Sequence, residues 1–220
     1  MRLFFAALAA LLVSPALSQG HPVTPMAVSQ EGADLVFGAA SAPVTLDEYL
    51  SYTCPHCAHF AEEADDAIEA MAASGTLRVR LIPAVRDPLD VAEAMLVRCA
   101  PPDLALSLHR AFFARQEELY NAARRDPAFY TRVPELTGKD IAAVVAATPL
   151  PAIVEQAGMD KAALAACTVN GAALARLTTN AKQVWTKIEG TPSFAVNGAL
   201  LDVNDWPSVQ ARIAAAQDSK

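Results

Sequence analysis

A change of hydrophobic period around residue 54 constrains the fold of this chain more than any other feature. Residues 44 to 52, VTLDEYLSY, follow Pro43 and are rich in β-branched and aromatic residues, which is typical of a strand. From Pro55 to Ala73 the apolar residues recur at helical spacing. Cys-Pro-His-Cys, residues 54 to 57, lies between the two patterns. The sequence therefore predicts a pair of cysteines at a strand-to-helix junction.

The rest of the chain predicts a βαβ unit, a helical block and a ββα unit. Residues 76 to 82 alternate as a second strand, and residues 190 to 204 predict a hairpin that turns at Asn197-Gly198. A last helix is predicted from 207 to 217. Residues 87 to 188 are rich in alanine and interrupted by prolines, as at Pro149-Leu150-Pro151. In this block we predict helices over 88 to 99, 103 to 121, 139 to 147 and 160 to 187.

Residues 1 to 18 have the pattern of a secretory signal peptide. Arg2 precedes an apolar run from Leu3 to Val13, and small residues follow up to Ser18. The alternative is a membrane anchor, but the run is shorter than the roughly 20 residues that span a bilayer. We therefore expect a soluble exported protein whose mature chain begins with an N-terminal arm, residues 19 to 40.

The charge of the chain argues against two classes of partner. The formal net charge is −7. Removal of residues 1 to 18 removes one cation, Arg2, and no acid, which makes the charge −8. An acidic protein is repelled by nucleic acids and by anionic membrane surfaces, so we expect neither as a partner.

Four cysteines, Cys54, Cys57, Cys99 and Cys167, lie in the part predicted to be exported, where disulfides can form and persist. Four thiols allow three pairings. The adjacency of the first two favours Cys54 with Cys57, which leaves Cys99 with Cys167.

The position of Cys54 just before a helix favours a reactive thiolate. Unpaired N–H groups and the positive end of the helix dipole stabilise a negative sulfur there, and His56 can add a donor or a positive charge. Cys57, one turn deeper, is the expected resolving partner. Glu48 lies six residues before Cys54, and if buried it could exchange a proton with Cys57. The alternative is that Asp47 points inward and Glu48 lies on an exposed face.

Three other interpretations of the motif are weaker. Haem attachment needs a histidine at position 58, which is alanine. A zinc knuckle needs a second ligand pair, whereas Cys99 and Cys167 stand alone and far apart. A purely structural disulfide across two residues would remove little chain entropy. The motif therefore favours redox chemistry.

These features together resemble the DsbA family of thioredoxin-fold disulfide oxidoreductases. The resemblance covers about residues 34 to 217 and rests on the Cys-Pro-His-Cys motif, on Glu48 and on Gly-Thr-Pro-Ser-Phe at residues 190 to 194. It implies an α/β protein with a thioredoxin fold and an inserted all-helical domain. Residues 41 to 86 and 189 to 218 would form the thioredoxin domain, and residues 87 to 188 the insertion.

The resemblance also implies roles for particular residues. Cys54 would be the attacking cysteine and Cys57 the resolving one. His56 would stabilise the thiolate and Glu48 would be the buried acid. The substrate-binding surface would consist of Thr191, Pro192 and Pro55. Pro192 would be in cis. Typical oxidases of the family carry valine before this proline, and threonine there resembles the disulfide isomerases and several DsbA-like relatives. For Cys99 and Cys167 we expect a structural disulfide, the alternative being two separate buried thiols.

The function implied is that of a periplasmic oxidase. It would donate the Cys54–Cys57 disulfide to exported proteins with free thiols, and a DsbB-type membrane protein would reoxidise it. We expect a monomer that binds no cofactor and no metal. The alternatives are a disulfide isomerase or reductase of the same superfamily, or a copper- or zinc-handling dithiol protein.

Overall fold

The computed structural model describes residues 26–219, so the predicted signal peptide at residues 1 to 18 lies outside the described residues. The described strands are β1 Val28–Glu31, β2 Asp34–Phe37, β3 Val44–Leu50, β4 Leu77–Pro83, β5 Ser193–Val196 and β6 Ala199–Leu200. The α-helices are α1 Pro55–Ala73, α2 Pro88–Cys99, α3 Pro102–Ala114, α4 Gln116–Ala123, α5 Gly138–Ala147, α6 Leu150–Gln156, α7 Lys161–Thr168, α8 Gly171–Val184 and α9 Trp206–Asp218. Two short 3₁₀ helices cover Pro127–Tyr130 and Val133–Glu135. No helix in residues 26–219 is both long and apolar enough to cross a membrane.

The six strands form one mixed sheet in the order β1-β2-β4-β3-β5-β6. Strands β3 and β4 are parallel, as α1 connects them, and every other neighbouring pair is antiparallel. The central strand β3 is hydrogen-bonded on both sides and is buried along nearly its whole length. The junction with Cys54 therefore follows a central, buried strand of the sheet. The predicted class, an α/β thioredoxin fold with inserted helices, is confirmed.

Helices cover both faces of this sheet. Helices α1 and α9 contact each other and strands on one face, and a smaller apolar cluster on the other face joins Tyr49 and Ile82 to Val184 of α8. Helix α2 lies at the centre of the helical block, in contact with α3, α5, α7 and α8. Cys99 at the end of α2 forms a disulfide with Cys167 of α7, with the Cα atoms 5.8 Å apart.

Local sequence signals account for several element boundaries. The Asp87 side chain caps α2 by accepting from the Asp90 N–H group, and Pro88 occupies the first turn. Thr137 and Asp140 form a capping box at the start of α5. The predicted hairpin turn is present, because Asn197 and Gly198 both have positive φ, the conformation that a two-residue turn between β5 and β6 needs.

The segment predicted as an N-terminal arm, residues 19 to 40, contributes to the sheet. In its described part, β1 and β2 form a hairpin whose turn includes Gly32 at φ 60°, and β2 pairs with β4. Each strand has only four residues, so alternation within it is too short to predict a strand. Pairing with β4, which follows α1 in the chain, stabilises β2.

The structure also corrects the predicted helix limits. The helix predicted over 103 to 121 is broken at Arg115, and the one predicted over 160 to 187 is interrupted at Val169 and Asn170 and ends at Val184. The Asn170 side chain caps α8 there by accepting from a backbone N–H group. The predicted break at Pro149-Leu150-Pro151 is present, because α5 ends at Ala147 and a new helix, α6, begins at Leu150 with proline in its first turn.

Candidate active site

Cys54 is the N-cap residue of α1, with extended backbone angles of φ −90° and ψ 117°. Its carbonyl oxygen accepts the first helical hydrogen bonds, from Cys57 N at 3.1 Å and Ala58 N at 3.2 Å. Within residues 26–219, no side chain caps this helix end. The sulfur of Cys54 therefore lies at a helix start whose N–H groups need an acceptor, and a thiolate supplies one.

Several interactions favour the ionised form of Cys54. A hydrogen bond from the Cys57 thiol lowers the pKa of Cys54 most, and the neighbouring Thr191 side chain and the positive charge of Arg86 lower it further. Burial of the sulfur acts in the opposite direction. Together they bring the pKa of this thiol to about 4, against 9.0 for an ordinary cysteine. Cys54 is therefore a thiolate at neutral pH.

Cys57 has the opposite character. Its side chain is fully buried, and burial together with the neighbouring Cys54 raises its pKa well above 9.0. Glu48 is only 1% exposed, and its charge contributes to the raised pKa of Cys57, so the two groups are near each other. Burial also raises the pKa of Glu48 well above its usual value, and the charge of Asp65 adds to this. Glu48 is thus a buried carboxylic acid, with a raised pKa, close to the resolving thiol.

Asp47, the alternative inward acid, lies on the other face of the sheet. It pairs with Arg80 at 3.3 Å, and Arg80 also contacts Asp34 at 2.7 Å. Side chains of successive strand residues point to opposite faces, so only one of the two acids could face α1. Glu48 has that position.

The loop before β5 comes close to Cys54. The Thr191–Pro192 peptide bond is cis, and the Thr191 carbonyl oxygen lies 3.1 Å from the Cys54 sulfur. The Thr191 hydroxyl is buried and has no hydrogen-bond partner among the described residues. Residues 137 positions apart in the chain thus meet at the reactive sulfur.

Two residues of the motif itself are exposed. Pro55 occupies the first turn of α1, and the His56 side chain points to solvent. Within residues 26–219, the hydrogen bonds to the Cys54 sulfur involve Cys57 and Thr191 and none comes from His56. A role of His56 in stabilising the thiolate is therefore still only a prediction.

The turn that precedes Cys54 is held by residues that the sequence patterns did not indicate. Asp90, fully buried on α2, accepts hydrogen bonds from Tyr52 N at 2.8 Å and from Ser51 Oγ at 2.5 Å. Arg86 donates to Ser51 Oγ at 3.1 Å, and Thr53 Oγ1 donates to an oxygen of Asp87 at 2.6 Å. The sequence indicated only that a helix starts near Asp87-Pro88. It did not indicate that the side chains of Arg86, Asp87 and Asp90 contact the turn before Cys54.

Gln116, at the start of α4, also contacts this turn. Its amide nitrogen donates to the carbonyl oxygens of Tyr52 at 2.7 Å and Cys54 at 2.9 Å. No sequence pattern indicated this contact, because the predicted helix ran through residue 116 without a break.

The surroundings of the dithiol offer a groove and no described metal centre. A cavity of about 440 Å³ lies beside the cis-proline loop, lined by residues 187 to 193 and 200 to 204. Among residues 26–219, no group of three or more His, Cys, Asp or Glu side chains is arranged to hold a metal ion. The site places a nucleophilic sulfur, a buried second thiol and an acid close together, and these are the groups that thiol–disulfide exchange uses.

Comparisons with known proteins agree with this arrangement. The family model described as thioredoxin matches residues 30–215. A protein-disulfide isomerase from Novosphingobium aromaticivorans is 27% identical, with a TM-score of 0.75 over 85% of this chain and 98% of that one. Wolbachia pipientis alpha-DsbA1 is 16% identical, with a TM-score of 0.66 over 84% and 92%.

BdbD from Bacillus subtilis, in its oxidised form, has the same fold at 16% identity, with a TM-score of 0.59 over 83% of this chain and 92% of that one. No curated protein is similar enough in sequence to count as a relative. The chain belongs to the thioredoxin family and has the fold of its DsbA-type thiol-disulfide oxidoreductases.

Proposed function

We propose that this protein is a thiol:disulfide oxidase that transfers the Cys54–Cys57 disulfide to exported proteins. The observation that carries the proposal is the opposite behaviour of the two thiols, since the pKa of Cys54 is lowered to about 4 and that of Cys57 is raised. A stabilised Cys54 thiolate favours the reduced protein over the disulfide. The disulfide form is then a strong acceptor of electrons from other thiols.

The reaction consists of two exchange steps. A substrate thiolate attacks the Cys54 sulfur, forming a mixed disulfide and releasing Cys57 as a thiolate that takes up a proton. A second substrate thiolate then attacks the substrate sulfur of the mixed disulfide and releases Cys54 as a thiolate. Two substrate thiols are oxidised to a disulfide and the enzyme disulfide is reduced to a dithiol. The low pKa of Cys54 makes it a good leaving group in the second step.

We assign the proton transfer to Glu48. Cys57 is fully buried, so water does not reach its sulfur directly. Glu48 is buried nearby, and its raised pKa favours the protonated carboxylic acid. It can therefore give a proton to the departing Cys57 thiolate and recover it later.

The cis-proline loop is the proposed binding surface for the substrate chain. Among the described residues, the Thr191 backbone N–H group has no backbone partner, and the carbonyl oxygen of the same residue lies 3.1 Å from the reactive sulfur. An extended substrate segment can pair there as a short added strand, with side chains entering the neighbouring groove. Pro55 and His56, exposed at the start of α1, would border the same segment.

The predicted signal peptide supports a periplasmic location, where newly exported chains supply free thiols. The reduced dithiol must then be reoxidised. A membrane protein of the DsbB type, implied by the resemblance to the DsbA family, would accept its electrons. We propose a monomer for this cycle.

Oxidation of a reduced, unfolded substrate protein tests the proposal. The disulfide form should oxidise it, Cys54→Ser should be inactive, and Cys57→Ser, which retains the attacking thiol without its resolving partner, should accumulate mixed disulfides. An active Cys54→Ser variant would refute the mechanism. The control is Ser74→Ala, an exposed residue at the other end of α1 from the dithiol, which should have no effect on the reaction.

A disulfide isomerase or reductase is the second candidate. Thr191 before the cis-proline resembles the isomerases, and the 27% identical structure from Novosphingobium aromaticivorans bears that name. Alkylation of the protein in cells distinguishes the two directions. A mostly oxidised Cys54–Cys57 pair supports the oxidase, and a mostly reduced pair supports the isomerase or reductase.

A further inference from the structure

The carbonyl groups that flank Thr53 meet one side chain from the helical block. The Gln116 amide nitrogen carries two hydrogens and lies 2.7 Å from the Tyr52 carbonyl oxygen and 2.9 Å from that of Cys54. For the Tyr52 carbonyl it is the only hydrogen-bond donor found in residues 26–219. A single amide thus joins both ends of the turn that presents the nucleophile.

The place of Gln116 in the fold gives it this reach. Helix α3 ends at Ala114, and Arg115 departs from helical geometry with φ −117° and ψ 18°. Helix α4 begins at Gln116, and Arg115 forms a double hydrogen bond with Glu118 at 2.8 Å on its first turn. In an uninterrupted helix, residue 116 would continue the direction of α3. The break therefore sets the direction in which the amide points.

Tyr52 is fixed to three different helices. Its N–H group donates to Asp90 of α2 at 2.8 Å, its hydroxyl lies 3.0 Å from His109 Nδ1 of α3, and its carbonyl accepts from Gln116 of α4. The Tyr52 ring is 3% exposed. Of these three partners of Tyr52, Gln116 is the one that also donates a hydrogen bond to the backbone of Cys54.

We propose that Gln116 is a positioning residue for the thiol–disulfide exchange, holding the backbone of the turn 52 to 54 so that the Cys54 sulfur stays at the start of α1 and beside Thr191. The inference rests on the proposed function of the dithiol. The Cys54 carbonyl already accepts from two helical N–H groups, so the third donor adds orientation to a helix start that forms without it. Loss of the amide should loosen the sulfur more than it destabilises the protein.

Gln116→Met tests this, because methionine has nearly the same length and no N–H group. In the reduced protein we expect alkylation of Cys54 by iodoacetamide at pH 7, and formation of the mixed disulfide, to slow roughly tenfold. The pKa of Cys54, followed by thiolate absorbance, should rise. Gln156→Met, the same change at an exposed residue at the end of α6, should leave both measurements unchanged.

Gln116→Glu keeps the proposal testable if the methionine variant folds poorly. A carboxylate places an acceptor against two carbonyl oxygens, whereas a protonated carboxylic acid can still donate to one of them. The rate deficit of this variant should therefore shrink as pH falls toward 4. A purely structural role for Gln116 predicts no such pH dependence.

The outcomes separate the two proposals. Exchange by the natural protein together with unchanged rates and unchanged Cys54 pKa in both Gln116 variants would overturn the positioning role alone. Absence of exchange in the natural protein would overturn the proposed function. Slower exchange at Gln116→Met, with a melting temperature close to that of Gln156→Met, supports the positioning role.

Discussion

In the reduced protein, Cys54 should contribute more stability as pH rises from 4 to 7, because its thiol ionises more readily in the folded state than in the unfolded chain. Its thiol has a pKa of about 4 when folded and near 9.0 when unfolded. Between these values the unfolded chain holds a proton that the folded protein has released. The free energy of unfolding then rises with pH, by up to about 1.4 kcal/mol per pH unit.

The expected magnitude follows from this slope. From pH 4 to pH 7 the upper bound is about 4 kcal/mol. Dissolved salt screens part of the interaction of the thiolate with its neighbours, so we expect about 2 kcal/mol. The stabilisation is fully present above pH 9 and is lost as pH falls through 4. It applies only to the reduced protein, and 2 kcal/mol makes its disulfide more oxidising by about 40 mV.

Urea unfolding at several pH values between 4 and 7 measures the effect. The matched control is reduced Cys54→Ser, whose hydroxyl does not titrate. Other buried acids, including Glu48, contribute the same pH trend to both proteins, so the difference between the two curves isolates Cys54. A difference that stays flat from pH 4 to 7, or that falls as pH rises, would refute the thiolate assignment and with it the argument for a strong oxidant.

Three further predictions concern groups around the dithiol. Glu48→Gln should slow steps that move the Cys57 proton by about 10²-fold and remove their pH dependence, measured by single-turnover kinetics. Asp90, whose pKa burial and Asp87 raise to about 8, holds a proton when folded that the unfolded chain has lost above pH 3.8. The contribution of Asp90 to stability should therefore fall as pH rises from 4 to 8, and Asp90→Asn should remove this contribution in urea unfolding of the disulfide form, in which Cys54 does not titrate. Replacing Cys99 and Cys167 by alanine should cost about 2–4 kcal/mol of stability by thermal melting, given the 68-residue separation, with exchange activity unchanged.

Local patterns were sufficient to predict the part of the fold that carries the motif. Strand β3 and helix α1 differ in hydrophobic period, and Pro55 fixes the first turn of the helix. The turn at Asn197-Gly198 follows from residues that tolerate positive φ. Each of these signals lies within a few residues of the structure it specifies.

The features that could not be predicted from the sequence depend on contacts between segments that are distant in the chain. Strand β2 exists because it pairs with β4, and Arg86 affects Cys54 because β3, α1 and the loop after β4 meet at one edge of the sheet. Arg86 comes after α1 and β4 in the chain, and nothing in the sequence indicates that its charge lies near Cys54. The burial of Glu48, by contrast, could be proposed, because alternation along a strand leaves only two choices.

The break at Arg115 combines both kinds of information. Residues 103 to 121 have the composition of one helix, and interrupting it gives up helical hydrogen bonds that are each worth about 1 kcal/mol. In return the Gln116 amide satisfies the carbonyl oxygens of Tyr52 and Cys54, and the bond between Arg115 and Glu118 stabilises the new helix start. Local preference is overruled where the helical block meets the reactive turn. A departure from a well-supported helix prediction therefore marks a residue whose other contacts are worth measuring, which is the reason for choosing Gln116 over its exposed neighbours.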